Sequence, residues 1–138
     1  VSVIMLDADY FKQLNDLYGH HHGDQCLIAI ADCLKHNLSR SHDLPARIGG
    51  EEFACLLPNT PLQGALVKAE RIRSEIEALA IPHANSAVSS VVTVSVGVAS
   101  AWPQPGLGYL ELFAEADSAL YQAKRQGRNQ VCTLQQVR

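Results

Sequence analysis

A chain of 138 residues, 47% hydrophobic and 18% charged, is long enough for one domain with a sizeable core and has ordinary globular composition. A net charge of −3 and a pI near 6.0 supply no broad basic field for duplex nucleic acid or an anionic membrane surface, so a nucleotide ligand must be held by local groups. Cys26, Cys33, Cys55 and Cys132 form no C-x-x-C pair and share no regular spacing with histidine, which argues for reduced, mostly buried thiols rather than a zinc site or disulfide framework. No apolar run reaches membrane-spanning length and no basic segment precedes an apolar one at the N-terminus. The domain is therefore expected to be cytoplasmic, with any membrane anchor lying elsewhere in a larger protein.

The first element is VSVIMLDAD, Val1 to Asp9, apolar and β-branched until it meets two acids, as a buried strand ending at a site would be. A polar segment follows, in which the His20–His22 triplet reads as loop. From Gly23 the positions Leu27, Ile30, Ala31, Leu34 and Leu38 recur at helical spacing, with Asp24 placed to cap or favour the helix start. Leu44 to Ile48 and Phe53 to Leu57 flank Gly49 and Gly50, a β-hairpin whose turn can accept positive φ. Thr60, Pro61 and Gln63 have the capping-box pattern for a second helix, whose stripe is Leu62, Leu66, Ala69, Ile72, Ile76 and Leu79.

Residues 81–90 read as loop, and the valine alternation of VVTVSVGVAS predicts a central strand from Val91 to Ser100. WPQPGLG breaks the pattern, with Trp102 expected to pack. Leu110, Phe113, Ala116, Leu120 and Ala123 mark a last helix ending near Gly127, and Val131 to Leu134 a closing strand. The order β-α-β-β-α-β-α-β predicts an α/β (α+β) sandwich of ferredoxin-like kind, an antiparallel or mixed sheet with helices on one face.

The hairpin tip carries Glu51 and Glu52 to an end of the sheet that Asp7 and Asp9 also reach. Side chains two apart on a strand share a face, so the two aspartates point together unless the strand ends first. Two carboxylates ~4 Å apart repel by on the order of 4 kcal/mol at an effective dielectric of ~20, so such a gathering needs a cation or a shared proton. All-oxygen ligation suits Mg²⁺ or Mn²⁺ together with substrate phosphates.

Three segments, LDADYFKQLNDLYGHHHGD, RIGGEEF and LYQAKRQGRN, follow one another over almost the whole chain and resemble the GGDEF family of diguanylate cyclases. The resemblance implies a nucleotidyl-cyclase and polymerase-palm-like core, and an enzyme in which two apposed domains each hold one GTP and condense them into cyclic di-GMP with release of two pyrophosphates. It assigns Asp7, Glu51 and the backbone carbonyl of Ala8 to metal binding, with Glu52 as a further catalytic acid and two Mg²⁺ (or Mn²⁺) ions per half-site. Gly49 and Gly50, lacking Cβ atoms, let the backbone approach the ribose and α-phosphate.

Asn15 and Asp24 match the guanine-binding positions, since a carboxylate accepts from guanine N1–H and N2–H₂, an edge adenine lacks. Leu27 would pack on the base. Lys12, Lys124 and Arg128 match the phosphate-holding positions, aided by N–H groups near Tyr10 and Phe11. Arg40-Ser-His-Asp43 has the family's R-x-x-D pattern, and Arg71 matches its auxiliary arginine, which together imply an inhibitory site for cyclic di-GMP.

The family's leading segment, with a D-x-L-T-G-L-x-N-R pattern, is not found before Val1, so residues 1–138 read as a single domain without it. A homodimer is expected for turnover, and a sensor or phosphodiesterase domain is expected to be attached. The alternative function is a non-catalytic module that binds GTP or cyclic di-GMP and regulates an attached domain. A cyclase making a 3′,5′-cyclic mononucleotide is disfavoured by Asp24 and by the GGEEF signature.

Overall fold

The computed structural model describes residues 1–136. All seven side chains of β1 (Ser2–Ala8) are buried, which an isolated alternating strand with one wet face would not show. Val3 and Met5 enter a cluster with Leu112, Ala116 and Leu120 of the C-terminal helix, Tyr109–Arg125. Ile4 and Leu6, pointing the other way, join Leu27, Ile30 and Leu34 of the helix His20–Asn37 and Ala69, Ile72 and Ile76 of the helix Leu62–Ala78. Helices thus cover both faces of the sheet, not one as the element order suggested. A strand apolar at consecutive positions needs cover on both sides, and that run was already visible in VSVIML.

In chain order the remaining elements are α1 (Phe11–Tyr18), α2 (His20–Asn37), β2 (Leu44–Gly49), β3 (Glu52–Leu57), α3 (Leu62–Ala78), β4 (Val94–Ser100), α4 (Tyr109–Arg125) and β5 (Val131–Thr133). The strand order is β2-β3-β1-β4-β5, with β1 antiparallel to β3 and β4, and β5 parallel to β4. The first four strands with α2 and α3 form the ferredoxin-like unit, and β5 extends it into a mixed sheet.

Several local expectations change. The polar segment after β1 forms α1, an eight-residue helix in which Phe11, Leu14 and Tyr18 recur at helical spacing, with Leu14 buried and Phe11 packed against the core. Gly19, at φ 90°, separates it from α2, which starts at His20 rather than Gly23. The histidine triplet is therefore helical, and Asp24 lies exposed inside the helix rather than at its cap. Pro61, not Thr60, caps α3, without a side-chain hydrogen bond; the Thr60 carbonyl instead accepts the Ser2 hydroxyl at 2.6 Å. The central strand begins at Val94, Val91 making only an isolated bridge to Pro82. Trp102 does not pack: it is 87% exposed.

Candidate active site

The C-terminal end of β1, the tip of the β2–β3 hairpin and the N-terminal end of β4 meet at one edge of the sheet. Asp7 is paired in register with Glu52, and the Ala8 amide donates to the Glu51 carbonyl at 3.2 Å. The turn that brings the two glutamates there uses one positive φ, at Gly50 (40°), and is fastened by Arg47, whose Nε donates to the Gly50 carbonyl at 2.8 Å. An added Cβ at Gly49 or Gly50 would meet no atom within 4 Å, so the space above the turn is open, as a ligand approaching the backbone requires.

From α4, Lys124 reaches this edge and its Nζ donates to Asp7 Oδ2 at 2.6 Å. Burial pushes the Asp7 carboxyl above its ordinary range; Lys124 opposes this, while Glu51 and Asp9 add to it. Glu52 is shifted the same way, first by burial and then by the nearby Asp117 and Asp7 carboxylates. Acids raised by burial and then by one another's charge form a hard-oxygen donor set that a divalent cation relieves. Among the described residues no group of three or more acid, imidazole or thiol side chains converges as a metal cage. The expected set of Asp7, Glu51 and the Ala8 carbonyl does not need one, because substrate phosphates and water complete such sites.

Beside this edge, a groove of about 480 Å³ runs between α2 and the hairpin, lined by Asp24, Leu27, Arg47 and Phe53 among others. Asn15 packs so closely on Gly23 that any Cβ there would collide with its Oδ1, which is buried without a hydrogen-bond partner. Its amide accordingly lies one residue from Asp24, with an acceptor still unsatisfied. On the opposite flank Tyr10, left-handed at φ 53°, precedes α1 without a side-chain cap, so the first N–H groups of that helix remain open to an anion. Lys12 stands exposed on the same turn. The Arg128 guanidinium lies over the Tyr10 ring, 4.6 Å from its centroid.

The chain as a whole has known relatives. The family model described as "Diguanylate cyclase, GGDEF domain" matches residues 1–130. The chain belongs to the GGDEF family. Diguanylate cyclase DgcM of Escherichia coli K12 is 45% identical over 130 residues, 94% of this chain and 30% of that protein. The active GGEEF domain of a diguanylate cyclase from Vibrio cholerae superposes with TM-score 0.81 at 34% identity, covering 99% of this chain and 83% of that one. The GGDEF domain of DgcB from Caulobacter crescentus, solved in complex with c-di-GMP, gives 0.83 at 34% identity, with coverage of 96% and 76%. The chain spans about a third of the length of the curated relatives it matches.

In this GGDEF chain, then, Asp7, Ala8, Gly49, Gly50, Glu51, Glu52 and Lys124 are brought together, while Asn15, Asp24 and Leu27 line or adjoin the groove. Arg40, Asp43 and Arg71 stand apart from them: the Asp43 amide donates to the Arg40 carbonyl at 3.1 Å in the turn before β2, and Arg71 is exposed on α3. Among the described residues their side chains make no hydrogen bond or ion pair with one another.

Sequence reasoning gathered Asp9 with Asp7 at the strand end without giving it a role, and missed Asn129 and His83. Asp9 is buried at the junction, and the His83 ring, also buried, shares a hydrogen bond of 2.9 Å between Nε2 and the Tyr10 carbonyl. The DAD pattern flagged Asp9, but no spacing signal links His83 or Asn129 to residues more than seventy positions away. No described helix is long and apolar enough to cross a membrane.

Proposed function

We propose that this domain is the catalytic part of a diguanylate cyclase, in which two copies each hold one GTP and condense them into cyclic di-GMP with release of two pyrophosphates. The observation that carries the reading is the meeting of Asp7, Ala8 and the Gly49–Glu52 turn with Lys124, at the edge of a groove whose wall is Asp24 and Leu27. Asp24 accepts from the guanine N1–H and N2–H₂, Asn15 adds a polar contact beside it, and Leu27 packs on the base.

Lys12, Lys124, Arg128 and the N–H groups at Tyr10 and Phe11 hold the phosphate tail. Lys124 is neutralised by Asp7 in this structure, so nucleotide entry exchanges partners: Lys124 turns to phosphate as Asp7 turns to a cation. Asp7, Glu51 and the Ala8 carbonyl would hold Mg²⁺ or Mn²⁺, which when bound neutralises the triphosphate and acidifies the attacking 3′-hydroxyl. Glu52, whose carboxyl is raised above its ordinary range first by burial and then by Asp117, adds a second acid beside the reacting groups.

A homodimer supplies the second GTP, and the span of the relatives supports a sensor or phosphodiesterase domain attached to residues 1–138. Incubating the full-length protein with GTP and Mg²⁺, with products resolved by chromatography, is expected to give cyclic di-GMP and pyrophosphate. GTP binding without turnover would sink the enzymatic reading.

Arg40, Asp43 and Arg71 form the inhibitory product site in this proposal, with arginine reading guanine acceptors and phosphate. Arg40→Ala should blunt inhibition by added cyclic di-GMP by about tenfold in half-inhibitory concentration, the worth of one charged hydrogen bond. Equal inhibition of the variant and the wild type would show that the site lies elsewhere.

A further inference from the structure

The backbone that presents the proposed phosphate-holding groups is of a kind L-residues rarely adopt. Gly127, Arg128 and Asn129 are consecutive positive-φ residues at 121°, 65° and 46°, and they face Tyr10 at 53°. Left-handed non-glycine residues cost free energy and persist only where surrounding contacts impose them.

Two sets of contacts do so here. The Asp9 carboxylate, 2% exposed, accepts from Thr93 Oγ1 at 2.7 Å, Ser95 Oγ at 2.6 Å and the Asn129 amide at 3.0 Å. That fixes the 127–129 turn to the end of β1 and to β4. From the other side, Asn129 Oδ1 accepts from Arg73 Nη1 at 2.8 Å and its Nδ2 donates to Glu77 Oε2 at 2.7 Å, fastening the same turn to α3. Arg73 is itself paired with Glu70 and Glu77, so its charge is spent within the protein rather than offered to a ligand. Arg128 lies between these anchors, over the Tyr10 ring and 3.9 Å from Asp9 Oδ1.

We propose that Asn129 is a positioning residue for the GTP triphosphate: fastened between Asp9 and the Arg73–Glu77 pair of α3, it holds Arg128 and the Tyr10 turn in the geometry that aims a guanidinium and open helix N–H groups at one anion. The inference rests on the assignment of Arg128 to the phosphate tail made above. Asparagine suits the position twice over. It tolerates the left-handed region better than other non-glycine residues, and its amide is acceptor for Arg73 and donor for Glu77 at once. An aspartate would keep the first property and the Arg73 bond but set a carboxylate against Glu77. Ligand-ready geometry secured in the free protein lowers the ordering cost of binding.

The test compares two probes on the full-length protein in Mg²⁺. One is 3′-deoxy-GTP, which carries the triphosphate but lacks the attacking hydroxyl; the other is GMP, which lacks the β- and γ-phosphates. Asn129→Asp is expected to weaken 3′-deoxy-GTP binding about tenfold while leaving GMP within twofold of wild type. Adding Glu77→Gln, whose amide can donate where the carboxylate repelled, should restore most of the loss. Three results overturn the proposal: equal losses for both nucleotides, which mark a merely structural role; no loss for either; or no recovery in the double variant. Wild-type protein that binds 3′-deoxy-GTP no tighter than GMP would instead overturn the assignment of Arg128, and the inference with it.

Discussion

Asp7→Asn should abolish cyclic di-GMP synthesis by the full-length protein while leaving its melting temperature at neutral pH equal to or above that of wild type. The catalytic loss follows from the role proposed for Asp7, which lies opposite Glu52 and beside Ala8, as a ligand of the cation that would neutralise the phosphates. Charge stabilisation by such an ion is worth several kcal/mol, and each ~1.4 kcal/mol is tenfold in rate, so a fall of on the order of a thousandfold is expected.

The stability side rests on linkage. Burial outweighs the pull of Lys124 and holds the Asp7 carboxyl above its usual range. A proton bound more tightly in the folded state stabilises it below the unfolded value, and that contribution is lost as pH rises through the higher folded value. On the alkaline side of that window the ionised carboxylate opposes folding, so its removal costs the fold nothing, while the asparagine oxygen still accepts from Lys124. Chromatographic turnover and calorimetry on the same preparation decide the matter. Retained synthesis would remove Asp7 from the site, and a large drop in melting temperature would show its charge to be a structural necessity.

Gly97→Ala should have the largest effect on stability. Gly97 sits in β4 opposite Met5, on the face covered by α4, and a Cβ there would run into the Ala116 carbonyl and the Leu120 amide. Those are backbone atoms of a helix and cannot rotate aside as a flexible side chain would. The helix must lift, loosening the cluster of Met5, Leu112 and Leu120. Overpacking costs roughly 1–3 kcal/mol, and rigid backbone puts this case near the upper end. That corresponds to a fall in melting temperature of about 10 °C for a domain of this size.

Because α4 carries Lys124 to Asp7, weaker GTP binding should accompany the instability. Gly49→Ala is the control for melting alone: its added methyl meets no atom within 4 Å, so it should stay within roughly 0.5 kcal/mol of wild type. Equal melting of the Gly97 variant and wild type would mean that α4 does not rest on β4 as closely as described.

Apart from α1, the chain order of strands and helices was legible in the sequence, as were the hairpin and its acidic tip, because each is set by short-range chemistry: valine runs, a Gly-Gly turn, helical spacing of leucine and alanine. The ordered motifs also carried the family, and with it the residue types the site would use. α1 was passed over because most of its eight residues are polar, although Phe11, Leu14 and Tyr18 do recur at helical spacing, and α3 is entered through Pro61 with no side-chain cap although Thr60 has the residue type for one. Which face each helix covers was decided only in three dimensions, since periodicity shows that a side chain is buried but not against what.

The same limit applies to the site. Sequence alone determined that the carboxylates, glycines and cationic side chains that the GGDEF motifs call for are present. Only the tertiary structure decided that Lys124 neutralises Asp7, that Gly23 gives Asn15 its place, and that Asp9 and Asn129 fasten the Arg128 turn. Hydrogen bonds and ion pairs between residues a hundred positions apart depend on distances of a few ångströms, and those exist only once the sheet has brought the strand ends together.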